Sequence, residues 1–190
     1  MKSWLHDMGA EQELELWEAD CIHAPLGSLE PQIRTNASWL SEGLGILAWA
    51  LNLHDLAPHD ECIDPQEVSN ELDFLHPEAA ELFHEAELRN KEETEFESDK
   101  ALAIHWRLRQ FQLDGRQINF GEFAKTAWFG PLNIEEVALV DGDLSINRQP
   151  LSKASAEHIS IAMSTARERH RAFNWLLGHE EVYSQVDTST

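Results

Sequence analysis

Apolar residues recur at helical spacing through most of the chain, and three stretches carry the pattern furthest. Between residues 154 and 178, Ile159, Met163, Ala166, Phe173 and Leu177 form one stripe, interrupted by His170 and flanked by Asn174. Residues 29–53 begin amphipathic at Ile33, Ala37 and Leu40, then turn apolar nearly all round from Gly43 to Leu51. That change predicts a helix buried on more than one side. A charged bridge over 90–99 leads into a third helix that ends at Leu113. Phe96, Leu102, Ala103, Trp106 and Leu113 make one stripe there and Ile104, Leu108 and Phe111 a second, which predicts a central helix with neighbours on both sides.

Shorter elements follow from local signals. Residues 3–19 are expected to be helical, with Gly9 weakening the middle, and 19–28 to connect. Ser28 is placed to cap the second helix, with Pro31 in its first turn. Asp64, Pro65 and Glu67 have the order of an N-cap, a first helical position and a capping-box partner. A further helix is expected over 77–89 on the face of Ala79, Leu82, Phe83 and Ala86. Asp114 and Gly115 close the central helix.

From Arg116 to Leu151 the pattern changes, and Asp141-Gly142 between short alternating runs predicts a type I′ hairpin. Two strands are marginal alone, so this hairpin must pack on helices. Ser152 or Ser155 caps the last helix, Gly178 ends it, and the polar tail 184–190 is expected to fray. The fold class is therefore mainly α (α+β): one domain over 1–190, an irregular helical bundle of five or six helices with a small β-hairpin before the last helix.

Composition narrows this picture. Seven tryptophans spread along 190 residues let aromatic bodies enter the core from nearly every element. The longest apolar run, 44–53, is about half of a membrane span, and the N-terminus lacks the pattern of a signal peptide. Cys21 and Cys62 lie far apart with no CxxC companion, so neither a disulfide framework nor a zinc knuckle is expected. Together these features are those of a soluble cytoplasmic protein with reduced thiols.

The net charge of −21 is lopsided: residues 1–99 hold 24 acidic and 4 basic side chains, residues 100–190 hold 11 and 10. Such a field repels nucleic acid and anionic membranes and attracts a basic protein. The competing reading is that the run from Asp60 to Asp99 is a set of solvated helix faces.

Four motifs, SWLSEGLGILAWAL (38–51), ELR (87–89), IHWRLRQ (104–110) and ERHRAFNWLLG (168–178), share an order and spacing. The set resembles a bacterial family, domain of unknown function 4272, whose members look like WxxEaLxxLLWAL, axLR, xhWxxR and ERHxALNWL. The resemblance runs over about 26–178, with Gly43 and Gly45 standing where helix formers are usual. It supplies no activity, and the residues suggest no cofactor.

The polar residues within those motifs are Glu42, Arg89, His105, Arg109, Glu168, Arg169, His170 and Asn174. On central helices several must be buried, and a buried charge requires a partner. One reading is a structural network joining Glu42 or Glu168 to Arg109 or Arg169, bridged by His170 and Asn174. The other is a cleft in which His170 acts as a general base and the arginines clamp an anion.

Metal chemistry has one sound pair, Glu81 and His84 in Glu-x-x-His spacing, with Asp20 and His23 a looser one. His54, His59 and His76 flank Cys62 without ligand spacing and are taken as surface and loop histidines. No nucleophile elbow or phosphate-cradling loop is present.

Overall fold

The computed structural model describes residues 1–190. Eight α-helices occur in the order α1 (Lys2–Asp7), α2 (Leu16–His23), α3 (Pro31–Ala50), α4 (Pro65–Glu71), α5 (Ala79–Glu85), α6 (Lys91–Asp114), α7 (Phe120–Thr126) and α8 (Ala156–Leu176). A small antiparallel sheet, β1 (Leu139–Val140), β2 (Asp143–Ile146) and β3 (Gln149–Pro150), lies between α7 and α8. The molecule is mainly α with a small β part before the last helix.

The scaffold is three long helices, with α8 packed against both α6 and α3. Small residues on α8 allow the close approach. Ala162 and Ala166, in its first half, join Ile104 and Leu108 of α6, Phe120 of α7 and Leu144 and Ile146 of β2 in the largest core cluster. Ala172 and Phe173, one and a half turns on, join Ile46 and Trp49 of α3 and Ala101 of α6 in a second. Trp49 and Phe173 meet edge to face at 5.7 Å. A third cluster ties Ala48 of α3 to Ile63, Val68 and Leu72 around α4.

Several local expectations are corrected. The helix expected over 3–19 is two, because Gly9 takes φ 68 and stops α1, and α2 then runs through the predicted connector to His23. Ser28 does not cap α3; its hydroxyl donates to the Pro25 carbonyl, and Glu30 is the N-cap with Pro31 at the first helical position. By contrast, Asp64 caps α4 as expected, accepting the Gln66 amide, with Pro65 in the first turn. The helix expected over 77–89 is confined to α5, and the supposed charged bridge is the first part of α6, capped by Asn90. The short helix α7 went unpredicted, its N-terminus capped by Asn119.

The Asp141-Gly142 turn has both residues at positive φ, 51 and 79, as a type I′ hairpin requires. A second hairpin turns on Asn147 and Arg148 at φ 49 and 60 and adds β3, a strand the sequence conceals because arginine replaces the usual glycine. The 184–190 tail is not frayed throughout: residues Tyr183–Gln185 form a 3-10 turn, Val186 is buried, and Asn174 Nδ2 donates to the Asp187 carbonyl at 3.0 Å. Gly43 explains part of this docking, since a Cβ there would collide with the Tyr183 hydroxyl. Gly45 lets the Ile63 side chain lie against α3 in the same way.

Candidate functional site

The eight polar residues do not form one network; they separate into four local arrangements. The first is an ion pair between α3 and α8. Glu42 and Arg169 are both buried, with Arg169 Nε and Nη2 donating to Glu42 Oε2 at 3.0 and 2.8 Å. Arg169 also donates to the carbonyls of Ala57, Pro58 and Glu61, and Glu42 Oε1 accepts the Ile63 amide. This pair therefore staples the 57–63 loop onto two helices. Every guanidinium nitrogen is engaged, which leaves no donor to clamp an anion.

The second arrangement is His105 on α6 against His170 on α8, Nδ1 to Nδ1 at 3.0 Å. One ring must carry its hydrogen on Nδ1 and the other must present a bare lone pair, so the pair is stable with both rings neutral. Burial, first, and neighbouring positive charge hold both well below the ordinary histidine value, at about 4. For His105 that charge comes from His170 and the nearby arginines, and for His170 from His179.

The third centres on Glu168, whose buried carboxylate is gripped by Arg167 through Oε1 and by Arg171 through Oε2 at 2.7 Å. These residues, with Trp17, Trp39 and Tyr183, line a cleft of about 430 Å3. The fourth is Arg89, which donates to the Trp49 carbonyl, lies 4.7 Å over the Trp49 ring and pairs with Glu93. It holds the extended chain after α5 against α3. Arg109 is half-buried and makes no hydrogen bond or ion pair within the protein.

Of the network joining Glu42 or Glu168 to Arg109 or Arg169, the structure forms the Glu42–Arg169 pair, while Glu168 pairs with Arg167 and Arg171, and neither His170 nor Asn174 bridges the two. Asn174 reaches the C-terminal segment rather than His170. His170 is enclosed, and it lines neither this cleft nor the larger one described below. Glu81 and His84 are exposed on α5, and no group of three His, Cys, Asp or Glu side chains converges to hold a metal ion.

Two features escaped the sequence. Arg107 and Asp143 are fully buried, at 0% exposure each, with Nε to Oδ1 at 2.7 Å and Nη2 to Oδ2 at 2.6 Å. Asp143 opens β2 immediately after the Asp141-Gly142 turn, so this bidentate pair bolts the sheet to α6. The signal was a charge set among Ala103, Ile104, Leu108 and Phe111 at helical spacing. The other is His59, whose loop position gives no sign of a buried contact. It is half-buried, with Nε2 2.7 Å from the Ser145 carbonyl, and lines a cleft of about 450 Å3 bounded by α3, α6, α8 and the loops around Pro58 and Val137.

An exposed acidic stretch of chain accompanies these sites. Glu71, Glu78, Glu81, Glu85, Glu87 and Glu92 are exposed from the end of α4 to the start of α6. Among them the apolar side chains of Phe74, Leu75, Phe83, Leu88 and Phe96 are also exposed, Leu88 at 69%. No helix is long and apolar enough to cross a membrane.

The fold and sites define a mainly α-helical protein in which a three-helix scaffold is braced by buried ion pairs and carries clefts of about 430 and 450 Å3. The chain belongs to the family described as Domain of unknown function (DUF4272), whose profile matches residues 2–123, from α1 into α7. The ERHRAFNWLLG motif on α8 lies beyond the matched stretch. No curated protein and no solved structure matches the chain.

Proposed function

We propose that this is a cytoplasmic, non-enzymatic binding protein whose acidic face between α4 and α6 engages a basic, amphipathic segment of another protein. The observation that carries this reading is the interleaving of exposed apolar and acidic side chains over 71–96, with Leu88 standing at 69% exposure amid glutamates. Solvated charge alone would leave such a face uniformly polar. Apolar anchors inside a single-sign field instead suit a partner that presents lysines or arginines around an apolar stripe. The field raises the encounter rate and the apolar contacts hold the complex. The same charge disfavours nucleic acid.

The test is a titration with a helical peptide of alternating Lys and Leu faces, about 14 residues long, followed by fluorescence anisotropy as salt rises from about 50 to about 500 mM. Binding that weakens with salt but keeps a residual affinity supports the reading, because the apolar part is not screened. Equal binding by the same peptide with Glu in place of Lys contradicts it.

A further inference from the structure

The larger cleft has a chemistry that the acidic face does not use. Its floor is apolar: Ile46 from α3, Ala101 and Ile104 from α6, Ala166 and Phe173 from α8, and Leu56 from the following loop. Its volume of about 450 Å3 falls in the range of small-molecule sites.

Three carboxylates, Asp60, Glu97 and Glu136, stand around that floor. The cations facing them do not balance the count. Lys100 is shared between Glu97 at 2.7 Å and Glu136 at 3.5 Å. Arg169 is wholly committed to Glu42 and to backbone carbonyls. The cleft therefore keeps surplus negative charge beside apolar surface.

His59, which lines the cleft, adds an acceptor. The Ser145 carbonyl can only accept, so the ring hydrogen sits on Nε2 and Nδ1 presents a bare lone pair with no partner in the protein. Burial holds the ring below its ordinary pKa, so the lone pair persists at neutral pH. Asp60 lies beside it, its Oδ2 accepting the Asn147 amide. Glu136, beside Val137 on the cleft rim, is held at φ 62, in the left-handed region that L residues rarely adopt. Its carboxylate remains 77% exposed.

We propose that this cleft binds a small organic ammonium ion, its apolar body on the Ile46, Ile104 and Phe173 floor and its N–H donors directed to His59 Nδ1 and the rim carboxylates. An anion would meet surplus negative charge, and a neutral apolar molecule would leave the acceptors unused. The site is separate from the acidic face and stands or falls without it.

The full chain titrated calorimetrically with 2-phenylethylammonium tests this directly, with 2-phenylethanol and 3-phenylpropionate as matched neutral and anionic probes. Saturable binding of the amine, at least about tenfold tighter than the alcohol and with no binding of the carboxylate, is expected. Glu136→Gln and Asp60→Asn should each weaken the amine by about fivefold or more, whereas Glu78→Gln, with the same change in net charge, should alter it less than about twofold. Thermal melts of the three variants check that the fold is retained. Equal affinity for alcohol and amine, no saturation below about 10 mM, or an identical effect of Glu136→Gln and Glu78→Gln would overturn the proposal.

Discussion

Arg107 and Asp143 show what a buried charge costs when its counter-charge is removed, since the other acceptors of Arg107, Gln110 and the Arg116 carbonyl, are neutral. Both are inaccessible to water, so removing the carboxylate strands a buried guanidinium. Asp143→Ala should lower stability by about 3–5 kcal/mol, read from denaturant midpoints, and a loss below about 1 kcal/mol would mean that water reaches Arg107. The His105–His170 pair makes a second claim, on pH. Both folded-state values are about 4, below the ordinary 6.5, so the unfolded chain takes up protons first as pH falls. Stability from this pair is complete above about pH 6.5 and is lost progressively toward pH 4, on the order of a few kcal/mol in all. A His105→Gln/His170→Gln double variant should flatten the fall in stability between pH 6.5 and 4.5; an unchanged slope would assign that fall to other groups.

Elements that carry their own periodic stripe were legible, and those positioned by distant contacts were not. The courses of α3 and α8 followed from apolar spacing, and β1–β2 from Asp141-Gly142, because a positive φ at both positions has few alternatives. The break at Gly9 was visible as a weakness but not as a stop, since only packing decides whether a marginal helix bends or ends. β3 was hidden behind an arginine at φ 60. At the candidate site, burial of Glu42 and Arg169 could be inferred from their place on central helices. Their pairing was one option among Glu42 or Glu168 with Arg109 or Arg169, and no spacing rule chooses among these when 127 residues separate the partners.

The C-terminal segment is the clearest tertiary override. Composition makes it a loose tail, yet Tyr183 is seated against Gly43 and Val186 is buried. Gly43→Ala should displace Tyr183 and raise amide exchange at Gln185 and Val186 by about tenfold or more. Global stability should change little, because alanine adds up to about 1 kcal/mol of helix preference. Unchanged protection at those amides would contradict this docking.

At the scale of the molecule, a net charge of −21 sets the electrostatic character. Self-repulsion within the acidic half opposes compaction, so the melting temperature should rise as salt goes from about 10 mM to about 0.3 M, where the screening length has shortened severalfold. A melting temperature independent of salt would mean that the local ion pairs already neutralise the field. The same field, broken by exposed apolar side chains between Phe74 and Phe96, is the basis of the binding function proposed above.

Charge reversal separates a local docking face from the diffuse attraction of a polyanion. Glu81→Lys/Glu85→Lys, on α5, should weaken the basic amphipathic peptide by about tenfold or more at about 0.15 M salt. Glu122→Lys/Glu157→Lys, on α7 and α8 and equal in net charge, should change it by less than about threefold. Equal losses in the two variants would contradict a docking site on this face.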